Sequence, residues 1–410
     1  MSLKIIHTGD WHLGKKLFKT SRLPEQELFL TELKTIILNK DIDALLIAGD
    51  IFDTPYPPSD AIKLLIEFLY DVTTTSKCHI YFISGNHDSG RFLETVAPFY
   101  REKNIHVVGD IRSRSPEKFC FEISNGIQTA SLFMLPFFRS FDLITLGKEN
   151  YPELETLRDE SISEYLLMVL KRLFDNFSSS HLGPKILMTH HLFAGYEASE
   201  SEQGVGLSGL DQIPLSILTE FFDYVALGHL HKKQTLSEDK PKIIYPGSPI
   251  PFRFSETTQK YLSFIEINND RLSQEFIELS TYRKLHRIRC KHDELDGKLE
   301  ELIKNDDDIS SLSSLLEVNV KLDEPFPGLA DIIRDKLTDS NIELVSFNSF
   351  VENAKAEQSS QSDYHLLTTE DLFKQFYSQK FSKECPEDIY KEFQNLLNIF
   401  REQSEQKGMR

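Results

Sequence analysis

The stretch "YFISGNHDSG", residues 81–90, runs an apolar segment straight into Gly85, Asn86, His87 and Asp88. One strand ending in an amide, an imidazole and a carboxylate is an ordinary turn, because Asn, Asp and Gly populate turns for reasons of their own. It takes on chemical meaning only if other strands end the same way, and several do. "IIHTGDWHLG" (5–14) supplies Asp10 and His12, and "ALLIAGDIFD" (44–53) supplies Asp50 and Asp53. "KILMTHHLF" (185–193) supplies His190 and His191, and "YVALGHLHKK" (224–233) supplies His229 and His231. In four of these five clusters glycine stands just before the first polar residue, where the missing Cβ lets backbone and side chains crowd around one centre.

The pattern around the clusters explains how they could meet. Apolar runs predict strands at Lys4–Thr8, Ala44–Ile47, His79–Ile83, Ser131–Pro136, Lys185–Thr189, Tyr224–Ala226, Ile243–Tyr245 and Tyr261–Ile267. Apolar residues three and four apart predict helices at Glu25–Asn39, Ser59–Val72 and Ser161–Phe177. This alternation indicates an α/β domain with sheets covered by helices. Ligand sites in such folds gather at the carboxyl ends of strands, so the five clusters are expected to converge. Their donors are nitrogen and oxygen without thiolate, a set that suits Mn²⁺, Fe²⁺ or Zn²⁺, with Mn²⁺ or Mg²⁺ favoured where oxygen dominates. Two such ions about 3.5–4 Å apart activate water for in-line displacement at phosphorus.

Bulk properties narrow the class. A chain of 410 residues with 40% apolar and 27% charged residues has room for two or three domains and a large core. No apolar run is long enough to span a bilayer, and no cleavable leader is expected before the strand at Leu3-Lys4-Ile5-Ile6. Cys78, Cys120, Cys290 and Cys385 form no CxxC pair, which argues against a zinc–thiolate site or a disulfide framework and for a reducing cytoplasm. The net charge of −18 opposes nucleic-acid binding by charge alone, though local basic patches can supply a positive surface. No GxxxxGK[ST] loop is present, so the chain is not expected to bind ATP in that manner.

Beyond Thr281 the texture changes. A basic strand in "YRKLHRIRCKH", a helix near Asp293–Lys304, a strand at Leu315–Lys321, a helix at Leu329–Leu337 and a strand at Ile342–Asn348 form a β-α-β-α-β unit. The polar stretch "ENAKAEQSSQSD" (352–363) reads as a linker. Two amphipathic helices, Thr369–Phe381 and Pro386–Glu402, carry aromatic stripes that could pack on each other or on a partner. The domain division expected is 1–280, 281–350, a linker at 351–368, and helices over 369–410.

The order GDWHLG, GDIFD, GNHD, a strand-end His and GHLH resembles the calcineurin-like metallophosphoesterases. With "GDIFDTPYPPSDA" (49–61) and "YPGSPIPFRFSE" (245–256), it more narrowly resembles the bacterial SbcD nuclease-subunit family, over residues 1 to about 260. The resemblance implies a two-sheet sandwich flanked by helices, a small α+β capping domain and a C-terminal helical pair. It implies that Asp10, His12 and His231 hold one metal, that Asp50 bridges, and that Asn86, His190 and His229 complete a second site, with Mn²⁺ expected and Mg²⁺ the alternative. His87 would act on the scissile phosphate, with Asp88 orienting its ring, and His190 rather than its neighbour His191 would be the ligand. His7 falls on the face opposite Asp10 and is expected to be structural; Asp53 is expected to cap a loop. The implied activity is DNA exonuclease and endonuclease chemistry in recombination, repair and replication. The implied assembly is a homodimer working with an SbcC-type coiled-coil ATPase. A phosphatase on the same core, or a scaffold without catalysis, is the alternative.

Several cations are candidates for contacting DNA. Lys15, Lys16 and Lys19 follow the first motif, and Lys232 and Lys233 follow the last. Arg287, Arg289 and Lys291 alternate along the basic strand and so share a face, opposite Ile288 and Cys290. Without an evident aromatic-basic pattern for reading bases, sequence-independent tracking of the phosphate backbone is expected.

Overall fold

The computed structural model describes residues 1–351 except 113–114, 198–212, 257–258, 307–311 and 325, and eleven residues beyond 351. The chain forms two compact units, Met1–Phe350 and Val351–Arg410.

Two six-stranded sheets dominate the first unit. One has the order β14 (Arg271–Glu278), β13 (Tyr261–Asn268), β1 (Leu3–Thr8), β4 (Ala44–Ile47), β5 (His79–Ile83) and β6 (Ile105–Val108). The other has the order β11 (Gln234–Ser237), β12 (Lys242–Tyr245), β10 (Tyr224–Leu227), β9 (Lys185–Thr189), β8 (Thr129–Leu135) and β7 (Cys120–Ser124). Strands β1, β4, β5 and β6 run parallel, as do β8, β9, β10 and β12, while β13, β14, β7 and β11 pair antiparallel.

The two-residue period of the strands divides the core in two. Leu3 and Ile5, Ala44 and Leu46, and Tyr81 and Ile83 point into a core shared with the second sheet. Ile6, Leu45, Ile47, Ile80 and Phe82 point the other way, under helices Leu23–Lys40, Ser59–Thr75 and Gly90–Arg101. Helices Ser140–Asn150 and Ile162–Ser180 cover the second sheet, where Tyr165, Val169, Leu173 and Phe177 are buried. The α/β two-sheet arrangement expected from the sequence is therefore present. Strands β6, β7, β11 and β14 were not expected; each is the outermost strand of its sheet, short or half exposed, and lacks a long apolar run.

His7 illustrates how the inner core tolerates polarity. It is fully buried, its Nδ1 lies 3.0 Å from the Tyr224 hydroxyl of the other sheet, and that hydroxyl is 2.8 Å from Ser263 Oγ. Burial pushes the imidazole down to about 3, so it is neutral in the fold.

Residues 281–350 form a separate three-stranded sheet within the first unit. Its order is β15 (Leu285–Lys291), β16 (Ser314–Leu322) and β17 (Ile342–Val351), with helices His292–Asn305 and Leu329–Leu337. It is tied to helix Leu23–Lys40 by Arg283 to Glu25 (3.2 Å) and Tyr282 to Glu32 (2.8 Å). A two-residue hairpin, β2 (Lys16–Leu17) with β3 (Thr20–Ser21), follows the first motif, and Thr20 Oγ1 reaches Glu343 at 3.4 Å. In the second unit most of the two expected helices lies outside the described residues. Among those described, Phe373 and Phe393 stack with centroids 3.9 Å apart, and Lys374 lies over Tyr390. No helix is long and apolar enough to cross a membrane among the described residues.

Tyr224→Phe should leave His7 Nδ1 and Ser263 Oγ without their buried partner and lower stability by about 1–3 kcal/mol, read as a shifted urea midpoint with unchanged slope.

Candidate metal centre

Asp10, Asp50 and Asn86 leave the carboxyl ends of β1, β4 and β5, and His190 and His229 leave those of β9 and β10. Backbone bonds carry the β1–β4 pairing past the strands: Asp10 N donates to Gly49 O (3.0 Å) and His12 N to Asp50 O (2.9 Å). Gly228 and Gly85 are what allow the ends to touch. A Cβ on Gly228 would fall 1.9 Å from Ala48 O, and one on Gly85 would fall 2.1 Å from Asp50 Oδ1.

The side chains gather in two groups. His190 Nε2, His229 Nδ1 and Asn86 Oδ1 lie 2.9–3.4 Å from one another. His12 Nε2 and His231 Nε2 are 3.1 Å apart, and Asp10 stands with them within 4.8 Å. Asp50 Oδ2 lies between the groups, 3.5 Å from His12 Nε2 and 3.4 Å from His190 Nε2. Its other oxygen is held at 2.9 Å by the His87 amide, which leaves Oδ2 for the centre.

The charge state of these donors suits cations. Burial pushes the Asp10 carboxyl up to about 7 against the pull of His190 and His231. Burial acts likewise on Asp50, but the charges of His190 and His12 and a hydrogen bond from His190 hold it well below the usual carboxylate range. Burial opposes a charge on His190, yet Asp50 and Asp10 raise it to about 9, whereas burial lowers His12 to about 4 and His229 to about 3. Protonated His190 thus partly offsets the charge of the buried Asp50 carboxylate, a role that divalent cations would take over. His12 Nε2 and His231 Nε2, 3.1 Å apart, are close enough to be ligands of one ion. Backbone strain is concentrated here as well: Asp10, His12, Asp50 and His229 all adopt positive φ.

The groups that orient the imidazoles differ from the one expected. His190 Nδ1 donates to Ala48 O (2.7 Å), which aims Nε2 inward. The expectation for Asp88 needs correction: its carboxylate does not touch the His87 ring. It accepts from the amides of Gly85 (2.9 Å), Ile51 (3.1 Å) and Phe52 (2.9 Å), clasping the loops after β4 and β5 together. The His87 ring is held instead through Nδ1 by the Asp53 carbonyl, at 2.9 Å. Asp53 does more than cap a loop: its carboxylate lies 3.4 Å from His12 Nδ1 and 2.6 Å from Lys15 Nζ. His191 packs between Phe137 and Phe138 and accepts from the Phe138 amide. Glu256 and Lys260 were not anticipated. Glu256 Oε1 lies 3.3 Å from His231 Nδ1, and buried Lys260 bridges Glu256 Oε2 (2.9 Å) and the His231 carbonyl (3.1 Å). The signal was Glu256 closing the "YPGSPIPFRFSE" stretch, but only the fold brings it to His231.

Of the cations considered for DNA, three have acidic partners: Lys15 with Asp53, Lys232 with Glu197 (2.8 Å) and half-buried Arg287 with Glu317. Lys233 lies over the ring of Tyr261. Lys16, Lys19, Arg289 and Lys291 are exposed, without a side-chain ion pair among the described residues.

A two-sheet α/β sandwich with an oxygen- and nitrogen-donor nest at the carboxyl ends of its central strands defines a metal-dependent phosphoesterase. Residues 3–233 match the calcineurin-like phosphoesterases, and the chain belongs to that family. Residues 281–381 match a second family, described as the type 5 capsule protein repressor C-terminal domain. Over 264 residues the chain is 33% identical to the SbcD component of the SbcCD nuclease of Bacillus subtilis (strain 168), covering 62% of this chain and 63% of that protein. A dimetal phosphatase from Danio rerio aligns over 68% of this chain and 99% of its own at 12% identity, with a TM-score of 0.40. That likeness is too loose to bear on function.

Gly228→Ala and Gly85→Ala should each weaken divalent-metal binding by at least about 10–100-fold in titration calorimetry, by displacing the groups that aim the donors. Gly297→Ala, where a Cβ meets nothing within 4 Å, should bind metal as the unmodified chain does.

Proposed function

We propose that this chain is the nuclease component of an SbcCD-type complex. It would hydrolyse DNA phosphodiester bonds as exonuclease and endonuclease in end processing, recombination, repair and replication. The observation that carries the reading is Asp50 Oδ2 between two groups of imidazole, carboxylate and amide donors. Identity to a protein named as part of a nuclease supports the choice of DNA over a small phosphoester.

In this reading Asp10, His12 and His231 would hold one divalent ion and Asn86, His190 and His229 the other, with Asp50 placed to serve both. Mn²⁺ is the ion best suited to mixed oxygen and imidazole donors, with Mg²⁺ as alternative. The metals supply an activated water and positive charge for the phosphate oxygens. The protein supplies orientation: Glu256 and Lys260 set the His231 ring, and the Ala48 carbonyl sets His190. His87, whose Nδ1 donates to the Asp53 carbonyl, has Nε2 left to meet the scissile phosphate and, when the ring carries its second proton there, to pass that proton to the leaving oxygen. Asp88 acts as a positioning residue through the backbone. Of the cations considered, Lys16, Lys19, Arg289 and Lys291 are exposed and without a side-chain ion pair among the described residues, and are placed to follow the DNA backbone.

A homodimer is part of the proposal. Tyr56, Ile66, Tyr70 and Phe99 are exposed on or beside successive crossover helices over the same face of one sheet, an apolar set suited to a second copy. An SbcC-type ATPase is the proposed partner of the C-terminal segment, and the cytoplasm the proposed compartment, in keeping with free cysteines.

Chelation should abolish cleavage of DNA and Mn²⁺ should restore it, with full cutting by the chelated protein counting against the reading; hydrolysis of p-nitrophenyl phosphate without cutting of DNA would favour a phosphatase. Asp50→Ala should lose both ions in calorimetry. His87→Gln should retain them yet cut about 10²–10⁴-fold more slowly.

A further inference from the structure

An aromatic and basic surface emerges beside the metal centre from two segments more than two hundred residues apart in sequence. The hairpin after the first motif reads "KKLFK" (15–19), and the segment 251–254 reads "PFRF". Phe18 caps the hairpin at φ +54°, 54% exposed, with its ring 6.3 Å from that of Phe254. A large side chain in the left-handed region is strained, and such strain persists only where the surrounding structure over-determines it.

The two segments are locked together. Leu17 is buried under the hairpin, Arg22 N closes it on Lys15 O (3.1 Å), and buried Arg22 Nη1 donates to Pro251 O (2.8 Å). The surface also abuts the metal-binding donors. Phe252 packs edge-on against His12 (5.2 Å) and His231 (5.3 Å), and Lys15 Nζ lies over its ring, 5.4 Å from the centroid. Lys16 and Lys19 flank Phe18 and are exposed. Rigid aromatic rings bordered by lysines are the means by which proteins hold single-stranded nucleic acid.

We propose that Phe18 and Phe254 form a stacking platform for an unpaired nucleobase next to the scissile phosphate, with Lys16 and Lys19 on the adjoining phosphates. The substrate is then a strand that is single or frayed where it is cut, because a base within a duplex already has both faces stacked. This rests on the nuclease reading and narrows it.

The test compares oligodeoxyadenylate with an abasic sugar-phosphate oligomer of equal length, by fluorescence anisotropy under chelation. Phe18→Ala should bind oligodeoxyadenylate about ten-fold more weakly and the abasic oligomer as the unmodified chain does, while Phe18→Trp should retain the preference for bases. Because the ring is exposed, thermal melting should show that Phe18→Ala remains folded. Equal weakening on both oligomers, or none on either, in a protein that cuts DNA with Mn²⁺ would overturn the platform and leave the nuclease reading standing. A chain that stacks bases through Phe18 yet cuts no DNA would support the platform and overturn the nuclease reading. One that neither cuts DNA nor prefers bases would overturn both.

Discussion

A single carboxylate oxygen, Asp50 Oδ2, stands about equally far from an imidazole nitrogen of each donor group, and much of the molecule serves to keep it there. One oxygen of Asp50 is tied to the His87 amide, so the other is directed at the centre. That amide is in turn placed by Asp88, which draws the loops after β4 and β5 together through three backbone bonds. Opposite them, the ends of β9 and β10 bring His190 and His229 to the same point, because glycines let strand ends from different sheets come into contact.

Such a centre is unfavourable by itself. Buried carboxylates lie side by side, imidazole nitrogens face each other, and several of these residues have left-handed backbone. Each strained position costs about 1–3 kcal/mol, and it persists only where the surroundings over-determine it. Here the surroundings are two sheets whose apolar alternation leaves the central strands no other register. The cost becomes useful when cations bind, because charge and lone pairs are already aimed and little reorganisation remains.

The surroundings of the centre are assembled from distant parts of the chain. The hairpin at 15–21, the segment 251–256 and β17 meet through Arg22 on Pro251 and Thr20 on Glu343. In a chain of net charge −18, Lys15 and Lys232, which follow the first and last motifs, are each paired with a local acid, while Lys16 and Lys19 are exposed.

The sequence by itself determined the fold class and which Asp, Asn and His residues stand at the strand ends. Both are carried by local pattern: apolar runs of strand length, and Asp, Asn and His placed just past them. Edge strands such as β7 and β14 escaped it, because half-exposed residues carry no continuous apolar signal. Which atoms meet was decided only by tertiary structure. Asp88 and His87 are neighbours in sequence, yet the carboxylate serves amides from another loop while the ring is held by Asp53. Glu256 reaches His231, Arg287 is neutralised by Glu317, and Phe18 finds Phe254. Sequence spacing specifies the direction of a side chain within its own strand or helix, but contacts between elements depend on how sheets stack and loops close, and no local period records that.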